Sequence, residues 1–358
     1  MARKIHLALA LSFGVLFTVL GLSGTILVFR AEIRQSAEPH MPEDYLDRNE
    51  QSLSAILDAL ASDYPELALR SLTLPGNPRS YYRVVIRYQD GTEKRQARLF
   101  LDPLSGKAME QDPFHSGFER AVYALHATYF WSGGGVYLVG FTGLGILALI
   151  GAGLFLASPK RGGFHKVFVL SSRLRGRAFS NGLHRVSGMY LGLFFLLVTV
   201  TGILLAFRAD LLDPFQEEMM QNQVLESDQL TGRCFAAGSP ERILMQAEAV
   251  FPEAEVTFVH WPRRAAQPVL VTLRHKAELA SPLGLSQVAL DQDCLRPVWW
   301  RDGREASVRQ LLTEWVMALH NGQAFGMAGR LIYAVLAASP LLFLVTGVVC
   351  WRGRPRRR

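Results

Sequence analysis

Four of the nine histidines, His6, His126, His184 and His320, stand at matched places in or beside long apolar stretches. Imidazole is the side chain best suited there to bind a metal or carry a proton near neutral pH. Spacing sorts them into twos. His6 lies over His184 in a gap-free match of offset 178, and Ala124-Leu125-His126 lies over Ala318-Leu319-His320 at offset 194. Each end of the apolar region thus holds two imidazoles from different segments, a natural bis-imidazole site that haem iron fits best. Glycines recur on the histidine face at helical spacing: Gly14 after His6, Gly188 and Gly192 after His184, and Gly133 and Gly134 after His126. Such a row leaves room for a flat macrocycle, and it equally suits close helix packing. Arg120, Arg185 and Arg330 are placed to meet the carboxylates of such a group, or lipid headgroups.

The elements that position these residues are membrane spans. The chain has 358 residues, 49% of them hydrophobic and only 19% charged, with a mean hydropathy of +0.15. Charge-free runs at Ile5–Phe29, Ala121–Pro159, Val186–Phe207 and Leu331–Trp351 each reach the roughly 20 residues that a helix needs to cross the hydrocarbon layer. The expected fold is therefore a four-helix transmembrane bundle. A cleaved signal peptide is the rival reading of the first run, but its apolar stretch is too long and ends without a small-x-small cleavage site.

Basic residues orient the bundle. Thirteen of the 38 Lys and Arg fall in three segments that contain no acid, at the N-terminus, in the 158–183 loop and at the C-terminus, while the rest of the chain has 31 acids against 25 bases. The positive-inside rule then places both termini and the loop in the cytoplasm. This reading explains the net charge of +7 by topology and lipid headgroups, with no nucleic-acid partner. The expected organisation is a first span (1–30), an outer domain (31–120), a second span (121–159), a basic loop (160–183), a third span (184–208), a second outer domain (209–318), a fourth span (319–351) and a basic tail (352–358).

Both outer segments carry the same pattern. A short amphipathic helix precedes Tyr64-Pro65 in one and Phe251-Pro252 in the other, at offset 187, and strands follow each. Tyr81–Tyr88 and Gln96–Leu101, joined through Asp90-Gly91, read as a hairpin. The architecture is thus two helix–α+β domain–helix repeats. Cys234 and Cys294 lie in the second outer segment, where an oxidising compartment permits a disulfide, although two unpaired thiols fit the sequence as well. No HExxH, CxxC, CxxCH or strand-borne GxGxxG motif occurs, so zinc hydrolysis, covalent haem and a nicotinamide domain lack support.

The pattern LHR..G....L......TG.LL.F at Leu183–Phe207, the pattern ALH.G....GR.......L......G....W at Ala318–Trp351 and the Asp-Pro turn at Leu101–Gly106 resemble the PepSY-associated transmembrane family. That resemblance implies two PepSY-like α+β domains in the periplasm and a place in the inner membrane. Relatives include haem-containing ferric-siderophore reductases, which implies haem b, a ferric siderophore as substrate and an electron donor that the sequence does not name. Lys4-Ile5-His6-Leu7 departs from the Leu183-His184-Arg185 pattern of the third span. The competing expectation is a PepSY scaffold without cofactor that modulates signalling or proteolysis. A transporter gains from the repeats but lacks midplane acids.

Overall fold

The computed structural model describes residues 1–36, 51–64, 66–76, 80–110, 113–159, 163, 167–211, 239–262, 267–276, 283–305 and 315–352. In chain order, helices α1 (Ala2–Leu27), α2 (Arg30–Gln35) and α3 (Leu53–Asp63) lead into strands β1 (Ala68–Thr73), β2 (Tyr82–Asp90), β3 (Glu93–Leu101) and β4 (Ala108–Glu110). Helices α4 (Pro113–Thr128), α5 (Gly135–Ala157), α6 (Gly176–Ala206), α7 (Arg208–Leu211) and α8 (Pro240–Val250) follow. Strands β5 (Ala254–His260), β6 (Val269–His275), β7 (Ser286–Leu290) and β8 (Pro297–Arg301) precede α9 (Gly326–Ala338) and α10 (Pro340–Arg352). The chain divides into a helical unit and a sheet unit.

Four helical stretches of the helical unit are long and apolar enough to cross a membrane: Ala2–Leu27, Gly135–Ala157, Gly176–Ala206 and Gln323–Arg352. Helix α1 packs on α5, α9 and α10, and α6 packs on α5 and α10, so the four stretches close into a bundle. A four-span membrane protein with an α+β sheet region is the fold.

Three boundaries differ from the sequence reading. The run 121–159 is not one helix: α4 ends at Thr128, Tyr129 and Phe130 take positive φ of 47° and 62°, and α5 begins at Gly135. The turn brings Gly135 so close to Thr128 that a Cβ there would stand 1.9 Å from the Thr128 carbonyl oxygen, which only glycine avoids. Helix α6 begins at Gly176, inside the loop assigned to 160–183, because nothing from Gly176 to Leu183 breaks a helix once it is nucleated. The fourth stretch is jointed at Ser339, since Pro340 has no N–H to continue the ladder. Gly21 of α1 fits into this joint. A Cβ at Gly21 would lie 2.3 Å from the Ala337 carbonyl oxygen and 3.0 Å from the Pro340 ring.

The two outer segments, expected as separate domains, form one eight-stranded sheet of order β4-β3-β2-β1-β5-β6-β7-β8 with antiparallel pairing throughout. Strands β1 and β5 join the halves, Leu72 opposite Val259. Left apart, each half would expose a first strand as an open edge and would bury only a small core. Joined, they share one core in which Ile56 and Leu60 of α3 and Ile243 and Ala247 of α8 meet Leu72, Ile86, Val259, Val271 and Leu290 from the strands. The repeat persists in the turns. Asp102 accepts from the Leu104 N–H and Asp291 from the Arg296 N–H, and Leu295 adopts the positive φ of 52° that Gly106 adopts at 68°. Cys294 is disulfide-bonded; its expected partner Cys234 lies outside the described residues, and Cys350 is a free thiol.

Candidate functional site: two histidine pairs in the helical bundle

His6, near the start of α1, and His184, in the second turn-pair of α6, come together at the basic end of the bundle with ring centres 6.3 Å apart and planes at 86°. His126, near the end of α4, and His320, in the helical segment 315–320, come together at the opposite end with ring centres 6.2 Å apart and planes at 58°. From His6 to Ser23, which contacts His126, α1 rises about 25 Å. The apolar column between the pairs contains Phe17, Phe195 and Phe343, with ring centres 5.1 Å apart for Phe17–Phe195 and 5.5 Å for Phe195–Phe343.

Each ring rests on a glycine of a neighbouring helix. A Cβ would stand 3.3 Å from the His126 Cε1 atom at Gly24, 3.0 Å from that of His320 at Gly202, 3.1 Å from that of His6 at Gly153 and 3.8 Å from that of His184 at Gly347. In three of the four seats the residue before the glycine is a hydroxyl residue. Nδ1 of His126 meets Ser23 Oγ at 2.9 Å, Nδ1 of His184 meets Thr346 Oγ1 at 2.8 Å, and Nδ1 of His320 meets Thr201 Oγ1 at 3.1 Å. Each hydroxyl hydrogen is already given to the carbonyl four residues back, from Ser23 to Val19, Thr346 to Leu342 and Thr201 to Leu197. The hydroxyl oxygen therefore accepts, and Nδ1–H of the histidine donates. The second partner of His320 Nδ1, the Val198 carbonyl at 3.1 Å, can only accept and requires the same tautomer.

Proton on Nδ1 leaves the Nε2 lone pair free, and among the described residues no hydrogen bond engages Nε2 of these four rings. This is the state in which a histidine ligates metal while its other nitrogen is held by an outer partner. The pair spacing agrees. A metal bonded to one nitrogen of each ring at about 2.0–2.1 Å, with each ring centre about 1.1 Å beyond, sets the centres about 6.3 Å apart. Among the described residues no group of three or more His, Cys, Asp or Glu converges as for a bare metal ion. Two imidazoles brought together from different helices suit a metal whose remaining ligands come from a planar macrocycle.

A cavity of about 800 Å³ opens between His6 and His184, within the usual range of cofactor pockets. Gly14, Gly188 and Gly192 all line it, as do Gly153 and Gly347, with Phe17, Phe195 and Phe343 farther in. Beside Gly14 and Gly188 a Cβ would make only ordinary van der Waals contact, with the Leu344 side chain at 3.9 Å and the Phe343 side chain at 3.6 Å, whereas Gly192 already sits tightly on Leu154. Arg3, Arg177 and Arg185 line the same cavity, and all three are exposed.

Other expected site residues lie elsewhere. Gly133 and Gly134 belong to the turn before α5 and lie against the Trp131 ring, because the helix on which they were to follow His126 stops at Thr128. Arg330 is buried and committed to protein: Nε donates to the Val28 carbonyl at 3.1 Å and the guanidinium pairs with Glu32. It ties α9 to the end of α1 rather than pointing at a macrocycle. Arg120 is exposed on α4, and the neighbouring Glu119 is buried and paired with Arg30 and Arg34.

Sequence reasoning missed the seats themselves. Their signal is present as Ser23-Gly24, Thr201-Gly202 and Thr346-Gly347, with Ala152-Gly153 at the fourth place, related by the offsets of 178 and 194 that relate the histidines. A small residue before glycine is too common in apolar helices to stand out until the partner ring is in place. No curated protein matches the chain. Residues 3–354 match the family described as the PepSY-associated TM region, and with nearly its whole length so matched the chain belongs to that family.

Proposed function

We propose that this chain is a multi-pass protein of the bacterial inner membrane, with both termini in the cytoplasm, that binds two b-type haems and carries electrons outward to reduce a ferric siderophore. The observation that supports it most is the spacing of the two histidine pairs, 6.3 and 6.2 Å between ring centres with Nε2 free in each ring. His6 and His184 hold one group, and His126 and His320 the other. Gly14 and Gly188 line the cavity beside the basic-end pair, and Arg3, Arg177 and Arg185, which also line it, neutralise carboxylates there. Ser23, Thr201 and Thr346 keep the proton on Nδ1 and aim the rings.

When bound, haem supplies one-electron redox chemistry, and one electron is what converts Fe(III) to Fe(II). The hard oxygen donors of a siderophore hold the softer ferrous ion poorly, so reduction releases it. In this reading the basic residues at the end that holds His6 face the cytoplasm, so that pair lies on the donor side and His126 and His320 on the acceptor side. The segments 31–120 and 209–318 are periplasmic in this reading and receive the chelate.

The test uses the purified full-length protein. Reduced by dithionite, it is expected to show b-type bands and to reoxidise anaerobically on addition of a ferric siderophore, while a ferrous trap develops colour. A gallium chelate, which fills the same oxygen site but accepts no electron, is expected to leave the bands unchanged. Protein that is colourless from haem-replete cells overturns the haem reading and favours a scaffold. Coloured protein that no hydroxamate or catecholate chelate of iron reoxidises faster than buffer overturns the reductase reading alone.

A further inference from the structure

Three of the four histidine seats are alike and the fourth is not. His126, His184 and His320 each have a hydroxyl oxygen within 3.1 Å of Nδ1. His6 rests on Gly153 as the others rest on their glycines, but the residue before that glycine is Ala152. Its buried Nδ1 is turned to the Leu149 carbonyl and, unlike the other three, meets no hydroxyl. The internal repeat makes the difference specific, since Ala152 corresponds to Thr346 at offset 194 in the helix pair that seats His184. The same main-chain framework thus holds the same ring in the same place with one oxygen removed.

A hydrogen bond from Nδ1–H to a fixed acceptor makes imidazole a stronger donor to metal through Nε2, which favours the higher oxidation state. We propose that the seat hydroxyls Ser23, Thr201 and Thr346 are positioning residues that lower the reduction potential of their sites, and that Ala152 raises the potential of the His6–His184 site by leaving His6 without one. The two redox centres are then unequal by construction: the far-end site has two imidazoles bonded to hydroxyls and the basic-end site has one. The inference rests on the haem reading above and deepens it, because it assigns the difference between two otherwise repeated sites to one side chain.

The test is an equilibrium redox titration of the holoprotein followed in the visible bands. Ala152→Ser and Ala152→Thr are expected to shift one of the two one-electron waves to lower potential, and Thr346→Val to shift the same wave upward. Thr201→Val and Ser23→Ala are expected to shift the other wave upward. Each change should alter the oxidised-to-reduced ratio at a fixed applied potential about fivefold, the net worth of one hydrogen bond, or about 40 mV at 59 mV per tenfold for one electron. Thr346→Ser restores the hydroxyl and should return the wave to its original place. A purely structural role for the seats would change haem content and leave the waves of the remaining holoprotein where they were. Waves that stay in place in Ala152→Ser, Ala152→Thr and Thr346→Val alike overturn the proposal while haem binding stands. Absence of haem from the parent protein removes the haem reading, and this inference with it.

Discussion

The buried guanidinium of Arg330 is paired with the carboxylate of Glu32, so that the start of the fourth apolar stretch is tied to the helix that follows the first. The same guanidinium satisfies the Val28 carbonyl at the end of α1, one of the last acceptors that a helix leaves without an internal partner. Glu32→Ala is expected to destabilise the solubilised protein, because it leaves a mostly buried cation without its counter-ion. Glu32 is 40% exposed, so the loss is about 1–2 kcal/mol and not the larger cost of breaking a fully buried pair. Thermal unfolding in detergent measures it. Since Arg330 faces Glu32 and Val28, haem content per folded protein should not change; haem loss without a change in unfolding temperature would return Arg330 to the cofactor.

A carboxylate also joins the two halves of the sheet unit. Glu241, in the first turn of α8, accepts from the backbone N–H of Ser54 and from its hydroxyl at the start of α3. Burial pushes the Glu241 carboxyl up, but the bonds from Ser54 outweigh it and bring the group from an ordinary 4.5 down to about 2. A depressed carboxylate stabilises the fold above its unfolded value and loses that contribution as pH falls through the folded one. Stability of the sheet unit should therefore fall between about pH 4.5 and 2, read by acid titration of far-ultraviolet circular dichroism. Glu241→Gln should be less stable than the parent at pH 7 and show a shallower slope across that window. Equal slopes for the two proteins would contradict the assignment.

Much of this architecture can be read in the chain, and the part that cannot has a physical reason. The four histidines sort themselves by offset because a repeat preserves spacing along helices, and each pair does meet. The break at Tyr129 and Phe130 cannot be read, because these residues are as apolar as a span and hydropathy carries no information on φ. Nor can the fusion of the outer segments: Leu72 stands between Ser71 and Thr73, and Val259 between Phe258 and His260, and such a pattern says at most which face is buried without saying which strand lies beside it. Arg330 illustrates a third limit. A basic residue near a histidine looks available for a carboxylate on a cofactor until Glu32, 298 positions away, is seen to take it.

The seats of the rings give a contrast within one molecule. At Gly202 a Cβ would lie 3.0 Å from the His320 Cε1 atom, which is too close, whereas at Gly347 the distance to the His184 Cε1 atom would be an ordinary 3.8 Å. Gly202→Ala is expected to push His320 off its seat and lengthen the Nδ1 contacts to Thr201 and Val198. Its signature is a fraction of haem shifting from low-spin to high-spin bands, as one axial bond weakens. Gly347→Ala should cause a much smaller change. Equal spectral damage in both would mean that the glycines serve helix packing and not the rings.

The pairing itself is tested by non-additivity. If His6 and His184 hold one group between them, removing either ligand empties or weakens the same site, and removing both costs little more than removing one. His6→Ala, His184→Ala and the double variant are each expected to take the haem-to-protein ratio from about two towards one, as are His126→Ala, His320→Ala and their double. Combining His6→Ala with His126→Ala, from different pairs, is expected to take it towards zero. Kinetics separates the sites further. Loss of His126 or His320 should slow reoxidation by a ferric chelate, because that pair lies at the end away from the basic segments. Loss of His6 or His184 should leave a single reoxidation of prereduced protein largely intact and impair re-reduction at the basic end. A double variant of His6 and His184 that loses both haems, or a cross-pair double that loses only one, would show that the 6.3 and 6.2 Å pairs are contacts between rings and not the jaws of two sites.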